Sequence, residues 1–273
     1  MAGSTPRTVN RTISLVSKDR GSITWIGHAS VLVDLHGVRI LTDPALTPRL
    51  AHLRRHFPVD MDAVGTPDAV LISHAHADHL HLPSLRLLGH DVAVVVPRGA
   101  GDFVRRQGFR DVREVVSGDS FEIGGVTVAV VSAVHDARRG PHSRVVAAPV
   151  GYVIRGRPAI YFAGDTDLFP AMAEIPADVA LLPIWGWGRT LGPGHLDPVS
   201  AVRAMELLRP SVVVPIHWGT LSPMSVRGEP SWLRIPLSRF EAELARTGAA
   251  DRLRALEPGE SLRLETGQTR ASA

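Results

Sequence analysis

No cysteine occurs among the 273 residues. That excludes a disulfide framework, a thiol nucleophile and any metal site built on thiolates. Lysine is nearly absent as well: Lys18 is the only one, so the basic residues are almost all arginine. The arginines lift the pI to about 10.1, yet Lys+Arg 30 against Asp+Glu 27 leaves a net charge of only +3. So small a charge, spread along the chain, is no electrostatic footprint for nucleic acid, and no nucleic-acid partner is expected. Long apolar runs are missing too. Val92 to Val96 and Val126 to Val131 are strand-sized, far short of the roughly twenty residues of a membrane span. Residues 1–20 are polar, with no continuous apolar stretch of the secretory kind. A cytoplasmic protein without a transmembrane segment is the expectation. Hydrophobic residues at 44% and charged residues at 21% are ordinary for a globular chain and argue against disorder.

What is present is a mixture of short strands and helices. Ser22 to Ile26, Val31 to Leu35 and Val38 to Thr42 read as strands, the last two joined by the two-residue turn His36-Gly37. Gly124-Gly125 joins Phe121 to Ile123 with Val126 to Val134 in the same way. Arg155 to Pro158 separates Val150 to Ile154 from Ala159 to Ala163. Ala69 to Ile72, Val92 to Val96, Val179 to Leu182 and Val212 to Pro215 are apolar on both faces, as in buried strands. Helices are predicted over Pro83 to Leu88, from Pro198 to about Leu208 with Asp197 as N-cap, and over Pro236 to Arg246. This predicts an α/β layered domain over residues 21–265, a flexible segment over 1–20 and a frayed tail over 266–273. Pro44 to Met61 is the longest irregular stretch, a candidate flap or a plain surface loop.

The strongest chemical signal is His74-Ala75-His76-Ala77-Asp78-His79, directly after an apolar strand. Four potential metal donors in six residues can be aimed into one space by a tight loop. Neutral imidazoles with a carboxylate suit zinc, manganese or iron. Further donors should stand at other strand ends, and His135, Asp165 and His217 each follow such a strand. Singly each is weak, since a lone histidine there is usually a satisfied polar group. Their shared position at the carboxyl ends of buried strands raises them, because open α/β sheets place their sites at that edge.

His74, His76, Asp78 and His79, followed by His135, Asp165 and His217, resemble the pattern of the metallo-β-lactamase superfamily. The resemblance spans about residues 22–220 and implies an αββα sandwich of two mixed sheets flanked by helices, with a two-metal site at one edge. It also implies that His74, His76 and His135 hold one divalent ion, Asp78, His79 and His217 a second, and that Asp165 bridges them. Asp43 matches an early aspartate that supports such sites. Zinc is the expected metal, with manganese or iron compatible. A metal pair lowers the pKa of water and stabilises a developing oxyanion, so no serine or cysteine nucleophile is required.

Departures narrow the branch. A bridging cysteine is impossible, and His76 stands where the flavodiiron branch needs glutamate. Ser132-Ala133-Val134-His135-Asp136 is not the glyoxalase-type run. Trp25 to Ser30, Phe162 to Thr166, Gly194 to Pro198 and Ile216 to Thr220 look like the N-acyl phosphatidylethanolamine phospholipase D and L-ascorbate-6-phosphate lactonase group. The expected activity is therefore hydrolysis of a phosphodiester, with a lactone or other ester as the alternative and a non-catalytic metal-stabilised adaptor as the reading of another class. The substrate would be a small-molecule or lipid-like ester. Asp78 and His195 are expected to act in catalysis, His195 as proton donor. His28, Trp185 and Arg139 are expected against substrate, Arg139 because an arginine fork fits a phosphate. Oligomeric state is not readable.

Overall fold

The computed structural model describes residues 21–264; the segments 1–20 and 266–273, expected to be flexible and frayed, lie outside the described residues. The first half of the chain supplies β1 (Gly21–Gly27), β2 (Ser30–Leu35), β3 (Val38–Thr42), β4 (Arg49–Leu50), β5 (Leu53–Arg55), α1 (Met61–Val64), β6 (Ala69–Leu71), α2 (Leu82–Leu87), β7 (Ala93–Pro97), α3 (Gly101–Arg105) and β8 (Val112–Val115). The second half supplies β9 (Ser120–Ile123), β10 (Val126–Ser132), β11 (Val150–Arg155), β12 (Ile160–Phe162), β13 (Val179–Pro183), α4 (Pro198–Leu208), β14 (Val212–Ile216), β15 (Leu221–Pro223), α5 (Ile235–Thr247) and β16 (Ser261–Leu264).

Two large sheets result. One has seven strands in the order β16-β1-β2-β3-β6-β7-β8, and the other has six in the order β14-β13-β12-β11-β10-β9. Both are mixed. Pairing is antiparallel from β16 through β3 and parallel from β3 to β8, and likewise antiparallel from β9 through β12 and parallel on to β14. Both predicted two-residue turns form as expected, with positive φ at His36 and Gly37 and at Gly124 and Gly125.

Alternation sorts the side chains into layers. Ile23, Trp25, Val31, Val33, Ile40, Leu71 and Val95 of the first sheet share a core with Val128, Val130, Tyr152 and Phe162 of the second. Ile26, Leu32, Leu41, Val70, Ile72, Val94 and Val96 point the other way, packing with Leu85 of α2 and Val104 of α3. Ala201, Val202 and Met205 of α4 and Phe240 and Leu244 of α5 join the core through the second sheet. Helices thus flank two face-to-face sheets, and strands buried on both faces read as unbroken apolar runs for that reason. Asp197 caps α4 with a reciprocal capping box, Pro198 follows it, and the helix ends at Leu208 as predicted. No helix among the described residues is long and apolar enough to cross a membrane.

The stretch after Pro44 is not an open flap. β4 and β5 form a hairpin within it, and β5 pairs with β15. The buried Arg55 guanidinium fastens this strap, donating to the carbonyls of Ala45, Phe57 and Ile26. Burial without a carboxylate partner pulls the Arg55 pKa down to about 10.

Candidate metal centre

β1, β3, β6, β10, β12 and β14 run in a common direction within their sheets and deliver their carboxyl ends to one edge of the sandwich. His28 follows β1, Asp43 follows β3, the loop His74 to His79 follows β6, His135 follows β10, Asp165 follows β12 and His217 follows β14. Cross-sheet bonds fix that edge. The Tyr152 hydroxyl of β11 donates to Ile72 O (2.7 Å), and Val150 N donates to Ser73 O (2.9 Å).

The donors converge in two adjoining groups. In the first, His76 Nδ1 lies 3.0 Å from His74 Nε2 and 3.1 Å from His135 Nε2. In the second, His79 Nε2 lies 3.1 Å from His217 Nε2, and the Asp78 carboxylate stands 3.8 Å from His79 Nε2. Asp165 spans both. Its Oδ2 is 3.2 Å from His79, its Oδ1 is 3.3 Å from His217, and it also clusters with His135 and His195. All seven sequence-predicted ligands are therefore together.

The outward nitrogens are pinned. His79 Nδ1 bonds Asp43 Oδ2 (2.7 Å), His135 Nδ1 bonds Gly194 O (2.7 Å), and His217 Nδ1 bonds Trp185 O (2.7 Å). His74 Nδ1 meets Ser73 Oγ at 2.9 Å, and that hydroxyl in turn donates to Asp43. Each of these bonds fixes a ring and turns its Nε2 toward the centre, the support that metal-binding histidines ordinarily have. Asp43 is buried and also accepts from Ser73 N (2.7 Å), which matches the supporting role the resemblance implied.

Backbone strain collects here. His28, Asp43 and His217 have φ of 56°, 32° and 63°, in a left-handed region costing L-residues roughly 1–2 kcal/mol each. Gly164 has φ 60°, and a Cβ there would meet Ser73 Cβ at 2.4 Å; only glycine lets Asp165 enter beside the His74 loop.

The fit to divalent metal rests on these donors. Three imidazole nitrogens meeting at about 3 Å cannot all be hydrogen-bonded to one another, but they suit the edges of a coordination shell. Buried His28 Nε2 and Asp165 Oδ1 have no hydrogen-bond partner, and both face the cluster. Burial pulls the His74 pKa well down and that of His217 to about 3, so both rings are neutral, as ligands must be. Burial alone would raise the Asp165 and Asp78 pKa values, but the neighbouring histidines outweigh it and keep both carboxylates ionised. His79 is the exception. Burial disfavours its charge, yet Asp165, Asp78 and Asp43 together hold its pKa well above the usual value.

The other expected residues divide. His195 stands at the rim, with Nε2 3.5 Å from Asp165 Oδ2 and Nδ1 near Gly192 O and Pro193 O. Trp185 and His195 line a cleft of about 690 Å³ with Arg189, Arg203 and Arg239. Arg139 Nη1 donates to Ala75 O (2.7 Å) and Leu80 O (3.0 Å), and its guanidinium covers the Phe103 ring. It braces the His74 to His79 loop, whose carbonyls on either side of the donors need a donor of their own. His28 is buried among Asp78, His79 and His217. Sequence reasoning missed Ser73, although a hydroxyl next to His74 was a legible signal. It also missed the three cleft arginines, for which linear position gives no signal.

Residues 38–218 match the family described as the beta-lactamase superfamily domain. A UPF0173 metal-dependent hydrolase of Methanopyrus kandleri is 34% identical over 256 residues, covering 88% of this chain and 98% of that protein. A UPF0173 protein of Pyrococcus furiosus is 32% identical over 203 residues, covering 73% of this chain and 84% of its own length. The solved structure of Igni18, a metallo hydrolase from the hyperthermophilic archaeon Ignicoccus hospitalis, is similar with a TM-score of 0.70 at 28% identity, covering 90% of this chain and 99% of that one.

Proposed function

We propose, for a chain that belongs to the metallo-β-lactamase superfamily and within it to the UPF0173 metal-dependent hydrolases, that the substrate is an anionic ester, foremost a phosphodiester, cleaved at a two-ion site. His74, His76 and His135 would hold one ion, Asp78, His79 and His217 the other, and Asp165 both. Divalent ions there, zinc by preference for so many imidazoles and manganese or iron as alternatives, would supply a water-derived nucleophile at neutral pH and stabilise charge developing on the ester.

The protein's own groups complete the chemistry. Asp78, kept ionised and 15% exposed, is an acceptor able to orient water. His195 holds a proton more firmly than an ordinary histidine. Burial works against its charge, but the Asp165 carboxylate and the Gly192 and Pro193 carbonyls outweigh burial. Placed between Asp165 and the cleft, it is positioned to give that proton to a leaving oxygen.

The observation that carries the reading is the cleft itself. Arg189, Arg203 and Arg239 line it, and none pairs with an acidic side chain among the described residues. Its one carboxylate, Asp197, is occupied by Ser200 N and Oγ. Unpaired guanidinium forks beside a hydrolytic centre suit a substrate that carries phosphate. The test is turnover of bis(p-nitrophenyl) phosphate by protein supplied with zinc or manganese, with a neutral lactone run alongside. Diester turnover is expected, with KM raised several-fold in the Arg203→Ala/Arg239→Ala double variant. Lactone turnover without diester turnover would overturn the phosphodiester assignment in favour of a lactonase.

A further inference from the structure

We infer that His28 is a metal ligand, an additional protein donor in the group formed by Asp78, His79 and His217. The inference rests on the two-ion reading above. His28 is 2% exposed, and its Nε2 has no hydrogen-bond partner. That nitrogen lies 3.2 Å from Asp78 Oδ2, yet the approach fails the geometry of a hydrogen bond. Buried ring nitrogens are ordinarily paired, so an orphan aimed at a carboxylate and two imidazoles requires a reason.

Ligation supplies one. With metal–nitrogen bonds of about 2.0–2.1 Å, neighbouring donor atoms stand about 3.3 Å apart in a tetrahedral shell and about 2.9 Å apart in a six-coordinate one, the range open to an ion with five protein donors. The donor pairs His74–His76, His76–His135, His79–His217, His79–Asp165 and His217–Asp165 are separated by 3.0, 3.1, 3.1, 3.2 and 3.3 Å. The separation of 3.2 Å between His28 and Asp78 belongs to the same series. One ligand atom from each of His28, Asp78, His79 and His217 falls within 4.8 Å of all the others.

The backbone is built to hold the ring there. His28 N donates to Thr220 Oγ1 (2.8 Å), and His28 O accepts from Trp25 Nε1 (2.9 Å) and from His217 N (2.9 Å). The two left-handed histidines are thus tied to each other, with ring centroids 4.1 Å apart.

The test uses the His28→Asn variant, because asparagine tolerates the left-handed backbone while its shorter side chain falls away from the centre. His28→Ala and His217→Ala serve as companions, with thermal melts to confirm folding. Zinc and cobalt(II) are titrated against a chelator, and the cobalt visible spectrum reports coordination. Affinity for the second ion is expected to fall at least tenfold in His28→Asn, with a changed cobalt band. Weaker binding with an unchanged cobalt spectrum would overturn ligation in favour of a positioning contact to Asp78. Unchanged binding and spectrum in His28→Asn, with both altered in His217→Ala, would overturn the inference alone. No second ion in any protein, the unsubstituted chain included, would overturn the two-ion reading beneath it.

Discussion

The two donor groups are assembled in different ways. His74 and His76 come from one loop and need only His135 to close the first group, which is half-open to solvent at His76 and His135. The second draws on residues 28, 78, 79 and 217, buries its histidines, and uses left-handed backbone at two of them. Support differs as well. A serine hydroxyl and a carbonyl hold the first group, whereas the Asp43 carboxylate stands behind His79 in the second. Both groups close from one sheet to the other, but the second also needs His28 from the end of β1, so it depends on more of the tertiary packing and on charge balance.

Experiments can break or sharpen that contrast. Asp165→Ala removes the residue common to both groups, and the expected result is loss of metal from each and a fall in turnover of at least about a hundredfold. Metal content by elemental analysis with steady-state kinetics checks this; an active, metal-free variant would end the account. His195→Ala leaves both groups intact, so metal content should be unchanged while kcat falls about a hundredfold. Unaltered turnover would make His195 a structural loop residue.

Asp43→Asn tests the unequal support. Metal affinity should weaken about 10–100-fold, more at the second group than at the first, since His79 loses its carboxylate directly and His74 only through Ser73. Ser73→Ala should reverse the order, and equal losses in both variants would dissolve the distinction. The smallest effect is in pH. The carboxylates around His79 raise its pKa, so an entering ion must compete with a proton there. Second-group affinity should therefore weaken by about tenfold per pH unit on acidification below the raised His79 pKa. His74, His76 and His135 have lowered values and are already neutral near pH 7, so the first group should respond little there. Chelator competition between pH 6 and 8 measures both slopes, and parallel slopes would contradict the picture.

Much of this was legible in the chain. The hairpin turns, the doubly apolar strands and the capped α4 follow from local chemistry that tertiary contacts did not override. Boundaries moved by one or two residues, as where β12 spans Ile160–Phe162 and β10 stops at Ser132. β8 and β16 carried too little pattern. Val-Arg-Glu-Val is a half-exposed edge strand, and β16 earns its place only by pairing with β1 across the length of the chain. The clustering of these donors was legible because a dense motif and three strand-end residues share one edge of the sandwich. That Arg139 braces the His74 to His79 loop was not legible, because a guanidinium near a site has the same sequence signature whether it grips a ligand or braces a loop.

Residue type and spacing determined by themselves that the chain would form layered strands and helices and gather imidazoles and carboxylates at strand ends. Those outcomes rest on periodicities and donor chemistry that act over a few residues. Only the tertiary structure decided that His28 joins the second group, that Asp43 backs His79, and that Arg189, Arg203 and Arg239 share a cleft with His195. Each of those facts depends on which side chains two sheets and their loops bring within a few ångströms, and separation along the chain carries no information about that.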